Sequence, residues 1–425
     1  MRETKDSGVE WIGEIPKVWK VQRVKHAFYR KNEKAMVDNP VVLSLARSGV
    51  KVRDITNNEG QIAESYFNYN PVDIDDLLIN PMDLYSGANC SLSKVKGVIS
   101  PAYVNLRYKK GVLPAYFDYY FKLQYWLMAF FAYGKGVSYD NRWTLSAETL
   151  MNYPIVVPSY DTQQRIASYL DSKCSKIDAI IEKQQTVIEK LKEYKLSLIT
   201  ETVTKGLNPD VPMKDSGVEW IGDIPEHWIQ TKFKYLCIEI GDGIHTTPEY
   251  DPSGEYYFLN GNNIGSDNLV FKESTQRLNH KEYIKYKRPK LNCNTIMITL
   301  NGATYGKTSF YNMEKVLLGK SAGYLTLHDS VDKKFVRYFL QSDVAKKQID
   351  ISLCGSTIAN VSLRTLNELW IPLPLYKEQK DIADFLDRKC SAIDATISKK
   401  QALIEKLTAY KKSLIYEVVT GKKEV

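Results

Sequence analysis

Lys5-Asp-Ser-Gly-Val-Glu-Trp-Ile-Gly-Glu-Ile-Pro16, followed by Trp19, returns as Lys214-Asp-Ser-Gly-Val-Glu-Trp-Ile-Gly-Asp-Ile-Pro225, followed by Trp228, displaced by 209 residues. Chance does not produce such a pair, and a repeat governs every later step of a fold argument. Ile166-Ala-Ser-Tyr-Leu-Asp-Ser-Lys-Cys174 likewise returns as Ile382-Ala-Asp-Phe-Leu-Asp-Arg-Lys-Cys390, displaced by 216. The likeness runs on from Ile188-Glu-Lys-Leu191 to Ile404-Glu-Lys-Leu407, and from Thr200-Glu-Thr-Val-Thr204 to Tyr416-Glu-Val-Val-Thr420. Between these anchors the halves diverge but echo each other: Leu145-Ser146, Thr149-Leu150, Ile155 and Pro158 face Val361-Ser362, Thr365-Leu366, Ile371 and Pro374. The chain is two copies of one segment, each a variable region followed by a similar one.

The similar regions read as long helices. From Thr162 to about Val203 there is neither Gly nor Pro, and an apolar stripe at three-and-four spacing includes Ile177, Ile181, Leu191, Tyr194 and Leu198. Gly206, Pro209 and Pro212 stop it. About 40 residues at ~1.5 Å rise give ~60 Å, more than a domain buries unaided. The matching stripe at Ile393, Ile397, Leu407, Tyr410 and Leu414 supplies the partner. The first helix leads from the first variable region to the second, so a second helix packed on it runs back. The pair is expected to be antiparallel, with Val419 returned to the neighbourhood of Lys5.

The variable regions read as mixed. Val41 to Leu45, Asp76 to Ile79, Tyr103 to Tyr108 and Asn294 to Leu300 suit strands, while Tyr116 to Tyr133 and Lys333 to Lys347 suit helices. The expected fold is α+β: two homologous mixed α/β domains, 1–160 and 207–376, joined by two long antiparallel coiled-coil helices, 161–206 and 377–421, with a pseudo-two-fold internal repeat. A chain of 425 residues exceeds one hydrophobic core and agrees with that division. Hydrophobic residues at 44% and charged residues at 25% exclude a disordered or fibrous chain. No apolar run reaches membrane-spanning length, and the charged N-terminus lacks the core of a signal peptide. The expected location is cytoplasmic. Six scattered cysteines form no CxxC pair, so reduced thiols are expected. A net charge of +8 permits an anionic partner.

Motifs for catalysis fail one by one. Gly302-Ala-Thr-Tyr-Gly306-Lys307-Thr308 has three residues between its glycines where a phosphate loop has four. Asn80-Pro81-Met82-Asp83 lacks the second proline and the aromatic of the amino-methyltransferase motif. The five histidines show no metal spacing. The aromatic run from Tyr116 to Phe131 has helical spacing and suits a core better than a base-stacking platform. Polar and basic loops remain, carrying the side chains that read base edges and phosphates. The candidates are Arg47, Lys51, Arg53, Tyr85, Ser86, Lys94, Lys96, Tyr139, Asn141 and Arg142 in the first half. In the second they are His245, Thr246, Asn260, Asn262, Asn263, Asn301, Tyr305, Lys307, Ser356 and Asn360.

The arrangement resembles the type I restriction-modification specificity subunit along essentially the whole chain. The strongest carriers are Asp6 to Gly13 with its copy Asp215 to Gly222, and Gln379 to Asp387 with its copy Gln163 to Asp171. The resemblance implies a non-catalytic, DNA-binding subunit whose two target-recognition domains each read one half of a bipartite, asymmetric site. It further implies partners: double-stranded DNA, two methyltransferase subunits and restriction translocase subunits. S-adenosylmethionine, ATP and Mg²⁺ are expected on those partners, with no cofactor or metal on this chain. The competing reading is a coiled-coil scaffold whose domains bind proteins.

Overall fold

The protein, described from a computed structural model, is followed through all residues except Met1, Arg47, 57–62, Asp83, 85–89, 137–142, 287–288 and 354–359. It divides into two units, Met1–Gln184 with Ala402–Val425, and Gln185–Gln401. Two helices, Tyr160–Lys205 and Tyr376–Val419, each contribute to both units. No helix among the described residues is long and apolar enough to cross a membrane.

In the first unit a four-stranded antiparallel sheet runs in the order Phe28–Lys31, Val104–Tyr108, Leu77–Ile79, Cys90–Leu92. Of its two inner strands, Leu77–Ile79 is all Leu and Ile and is buried, as a strand covered on both faces must be. Helix Pro114–Trp126 carries Pro at its start, where the missing N–H costs nothing. Its Tyr116, Phe117, Tyr120 and Phe121 are buried and meet edge to face, so the aromatic run is core. The second unit repeats the sheet as Cys237–Asp242, Ala322–Leu327, Thr295–Thr299, Thr308–Phe310, again antiparallel throughout. It adds a three-stranded sheet centred on Tyr256–Leu259. The helix expected over Lys333–Lys347 is instead two, Lys333–Gln341 and Asp343–Leu353. Ser342 adopts an extended conformation between them, and its hydroxyl accepts from the Ala345 N–H, which caps the second helix.

The long helices pair within each unit, and the pairing is antiparallel. In the first, Lys411 bonds both carboxylate oxygens of Asp178 at 2.6 Å, and Arg165 reaches the carbonyl of Val425. In the second, Lys195 bonds Asp394 at 2.6 and 2.8 Å, while Ile199 and Val203 share a core with Ile382 and Leu386. These two ion pairs are copies of each other, since Asp394 and Lys411 follow Asp178 and Lys195 at the repeat displacement of 216. Between Ile177 and Leu198 the buried and half-buried positions on the first helix are 177, 181, 184, 188, 191, 195 and 198, with Leu196 half-buried beside the stripe. On the second they are 393, 397, 400, 404, 407, 411 and 414, the same alternation of four and three. Ile177, Ile393 and Leu414 are buried; Ile181, Leu191, Leu198, Ile397 and Leu407 are half-buried. Tyr194 and Tyr410, expected in the stripe, are instead 57% and 55% exposed. The seam takes the aliphatic stems of Lys195 and Lys411, one residue further on, because a lysine can bury its methylenes and still present its ammonium to an aspartate.

Each helix end is seated under a tryptophan of the opening repeat. Trp19, Ile12 and Ile15 share a core with Val418 and Val419, and Trp228, Ile221 and Ile224 share one with Ile199 and Val203. Gly421 (φ +75°) and Gly206 (φ +77°) end the helices in the left-handed conformation, where a side chain is strained. A Cβ on Gly421 would also lie 2.5 Å from Pro16. Within the first unit, then, the end of the second helix reaches the opening segment as expected. Leu414→Ala should cost about 2–5 kcal/mol by opening a cavity in the seam. Tyr410→Ala should change stability by no more than ~0.5 kcal/mol. Denaturant unfolding of the full chain tests the assignment, and equal losses would refute it.

Candidate nucleic-acid interface

The turn after the third strand of the sheet is the first part of the interface. In the second unit Thr295–Thr299 leads into residues 300–307 and returns as Thr308–Phe310. Gly306 N–H donates to the Thr299 carbonyl and Thr299 N–H to that of Lys307, both at 2.8 Å. Gly302 (φ +86°) and Gly306 (φ +77°) make the reversal possible. The turn therefore joins two antiparallel strands, whereas a phosphate loop joins a strand to a helix, so the nucleotide-binding reading is excluded on geometry as well as spacing. Tyr305 donates to Asp350 at 2.7 Å, and that bond holds its hydroxyl above the usual phenol range. Lys307 is exposed beside it, over a cleft that also holds Lys346.

A second segment crosses this turn. Asn301 forms a β-bridge with Asn360, and Val361 N–H donates to the Leu300 carbonyl at 2.8 Å. Ser362 then caps the short helix Leu363–Glu368. The first unit builds the same rim: Leu145 N–H donates to the Pro81 carbonyl at 2.8 Å, Leu84 N–H to that of Trp143 at 3.2 Å, and Ser146 caps Ala147–Asn152. In both units, backbone bonds hold the bases of two loops together and leave their tips to vary. The candidates Arg47, Tyr85, Ser86, Tyr139, Asn141, Arg142 and Ser356 lie outside the described residues.

The other candidates separate into surface and scaffold. Lys51 and Lys94 are exposed, and Lys96 lies 3.8 Å from Asp73. Arg53 is half-buried, with its backbone N–H bonded to the Val42 carbonyl. His245 is exposed and bonds Asp242 at 2.8 Å; Thr246 bonds Tyr286. Asn262 is exposed, but Asn263 is buried, bonding the Asn260 N–H, the Val270 carbonyl and Thr275. Asn260 accepts from Ser321 and from the Asn263 N–H in a capping box. Asn263 is a correction, its whole amide consumed in closing a turn, and Asn260 spends its amide oxygen on the same turn. The alternation of exposed and inward residues in a single turn of helix was the missed signal.

Sequence reasoning also passed over groups that set the frame. In the first unit the ammonium of Lys31 sits between Asp73 and Asp76, 2.9 Å from each, and Arg107 reaches Asp76 at 3.0 Å. Burial opposes the charge on Lys31, yet the two carboxylates raise its pKa overall. At the start of each long helix a buried glutamine ties down the N-cap residue of an earlier helix of the same domain. Gln163 accepts from Leu113 N–H at 2.7 Å and donates to the Pro158 carbonyl, and Gln379 accepts from Asp332 N–H and donates to the Pro374 carbonyl, each at 2.9 Å. Among the described residues no group of three His, Cys, Asp or Glu is placed to hold a metal.

The family model described as type I restriction modification DNA specificity domain matches residues 230–408. The chain is 26% identical to the type I restriction enzyme MjaVIII specificity subunit of Methanocaldococcus jannaschii over 96% of its own length and 93% of that protein's. It is 21% identical to the EcoBI specificity subunit of Escherichia coli, over 84% and 77%. Its fold matches a chain from a structure addressing assembly and conformational transition of the type I R-M system, with TM-score 0.73 at 14% identity, covering 96% of this chain and 99% of that one. It also matches the HsdS subunit from Thermoanaerobacter tengcongensis, with TM-score 0.53 at 14% identity, covering 96% and 98%.

Asn263→Ala should lower the stability of the full chain by about 1–3 kcal/mol, because buried partners are left unpaired. Asn262→Ala should leave stability within ~0.5 kcal/mol. Thermal melting distinguishes them, and a neutral Asn263→Ala would return that residue to the surface set.

Proposed function

The chain belongs to the family of type I restriction-modification specificity subunits, and from that premise we propose that it recognises double-stranded DNA at a bipartite, asymmetric site. The observation that carries the reading is the duplicated rim: one backbone arrangement holds two loop pairs whose sequences differ, as Asn301-Gly-Ala-Thr-Tyr305 differs from the segment after Asn80. Identical framing with different tips is what two readings of different half-sites require. The division is recognition domain 1–160, helix 161–206, recognition domain 207–376 and helix 377–421, with the helices an antiparallel pair related by a pseudo-two-fold.

The chain itself is non-catalytic and works in the cytoplasm. It docks two methyltransferase subunits and, through them, restriction translocase subunits; S-adenosylmethionine, ATP and Mg²⁺ belong to those partners. Docking is supported by a second apolar row beside the seam. Ile180, Val187 and Tyr194 recur every seven residues on the first helix with 37–57% exposure, and Leu403 and Tyr410 repeat the row on the second. Rows of this kind accept further helices. The exposure of Tyr194 and Tyr410 is thus assigned to partner binding.

Domains related by a pseudo-two-fold meet one face of a duplex when their half-sites lie about one helical turn, ~34 Å, apart or a multiple of it. Insertion of four residues after Glu189 should therefore change the unread spacer alone. Exchange of 230–370 for the corresponding domain of a relative should change one half-site alone. Mapping of methylated motifs in cells carrying each variant reads both outcomes. A change in both half-sites on the insertion would overturn the division of labour, and absence of any site-specific methylation with the assembled complex would favour a protein-binding scaffold.

A further inference from the structure

Outside the rims, both domains carry a second duplicated arrangement. In the first, Arg23 Nη1 and Lys25 Nζ donate to Asn152 Oδ1 at 3.3 and 2.9 Å, and Lys109 Nζ donates to the Lys25 carbonyl at 2.7 Å. All three cations are exposed, and none takes part in an ion pair found among the described residues. In the second domain Lys232 and Lys234 stand at the same repeat displacement of 209, and Glu368 replaces Asn152 at the displacement of 216. Both lysines donate to Glu368, Lys234 at 2.9 Å. These bonds push the Glu368 carboxyl down to about 2, so it is ionised throughout the neutral range. His328 takes the place of Lys109: its N–H bonds the Leu236 carbonyl as that of Lys109 bonds Ala27.

We infer that Arg23, Lys25 and Lys109 form a phosphate-binding site for the DNA backbone beside the first half-site, and that Glu368 attenuates the equivalent site in the second domain. The inference rests on the DNA-recognition reading and names residues outside the loops that carry it. Three observations bear on the ligand. The amide oxygen of Asn152 orients two cations without cancelling their charge, so the cluster presents three positive groups to an external anion. The same scaffold positions hold cations in both domains, so the cluster does not belong to the variable tips.

The distance also fits. Asn152 ends the six-residue helix capped by Ser146, and Ser146 directly follows Leu145, whose N–H makes the rim bond to the Pro81 carbonyl. Six residues at ~1.5 Å place the cluster about 9 Å from the rim. Phosphates flank the base edges of a major groove about 12 Å wide at a comparable distance. A protein surface is the disfavoured occupant, because the apolar row proposed to dock subunits lies on the long helices.

The test is a salt titration of duplex binding by the full chain assembled with its methyltransferase subunits, using a 30-bp duplex as an order-of-magnitude length of about three helical turns. Each phosphate contact contributes about −0.9 to the slope of log K against log salt. Arg23→Gln/Lys25→Gln/Lys109→Gln should make the slope shallower by roughly 2–3, Asn152→Glu by about 1, and Glu368→Asn should steepen it by about 1. Melting curves matching the wild type show that these surface exchanges leave the fold intact. A triple variant with an unchanged slope overturns the site while leaving the DNA reading in place. An unchanged slope with weakened methyltransferase assembly overturns it in favour of a protein contact. Failure of the wild-type complex to bind any duplex overturns the DNA reading and this inference with it.

Discussion

The seam between the two long helices is the constraint on which everything else depends. A helix of 46 residues with an apolar stripe has nothing in its own sequence to cover that stripe, and a helix of 44 with the same stripe is the partner closest to hand. Because the stripes are copies, either helix also fits its own duplicate, and apolar matching alone does not choose direction. Asp178 with Lys411 and Asp394 with Lys195 make the choice, since a parallel pair would separate these charges. Each ion pair is partly exposed and worth little by itself. Their value lies in register: a slip of one heptad breaks both at once, together with the seating of Val203 and Val419 under Trp228 and Trp19.

The same seam explains why the first unit is not a continuous stretch of chain: Met1–Gln184 is completed by Ala402–Val425, whereas the second, Gln185–Gln401, is unbroken. Contacts such as that of the Tyr116 hydroxyl with the Val419 carbonyl, at 2.9 Å, close a loop of most of the chain. Loop closure over such separations slows folding even where the final contact is strong. The buried glutamines Gln163 and Gln379 work in the opposite sense, fixing each domain to its own adjoining helix through bonds local to that junction.

Much of the fold was legible in the residues because the repeat supplied two readings of every element. The four segments read as strands contain strands, and the aromatic run is core, although its helix ends at Trp126 and Phe131–Tyr133 forms a separate 3-10 turn beyond Met128 (φ +57°). Where reading failed, burial and chemistry disagreed. Tyr194 and Tyr410 look apolar but lie beside the seam, while lysines that look polar lie in it. Asn260, Asn262 and Asn263 share a composition, and only the turn geometry divides two fasteners from one exposed side chain. Ser342 breaks a helix whose propensity is otherwise continuous, because its hydroxyl offers the backbone a competing bond. The rim was invisible for a further reason: it joins segments about 60 residues apart through main-chain bonds, which leave no trace in residue type.

The two sheets share an order of strands but not the chemistry that holds them, and this limits how their domains are exchanged. In the first, the turn into the central strands is held by charge: Asp76, fully buried, accepts from Lys31, Arg107 and Asn105. In the second, the turn into Thr295–Thr299 is held by neutral groups, with Asn292 N–H bonded to the Thr295 hydroxyl and that hydroxyl to Thr326. Removing one partner from a buried charged set is costly because the remaining charge is stranded in a medium that solvates it poorly. A strand transplanted from one sheet to the other would carry half of such a set. Lys31, Asp73, Asp76 and Arg107 therefore form one set in the first sheet, and an exchange that moved only some of them would leave a buried charge unpaired.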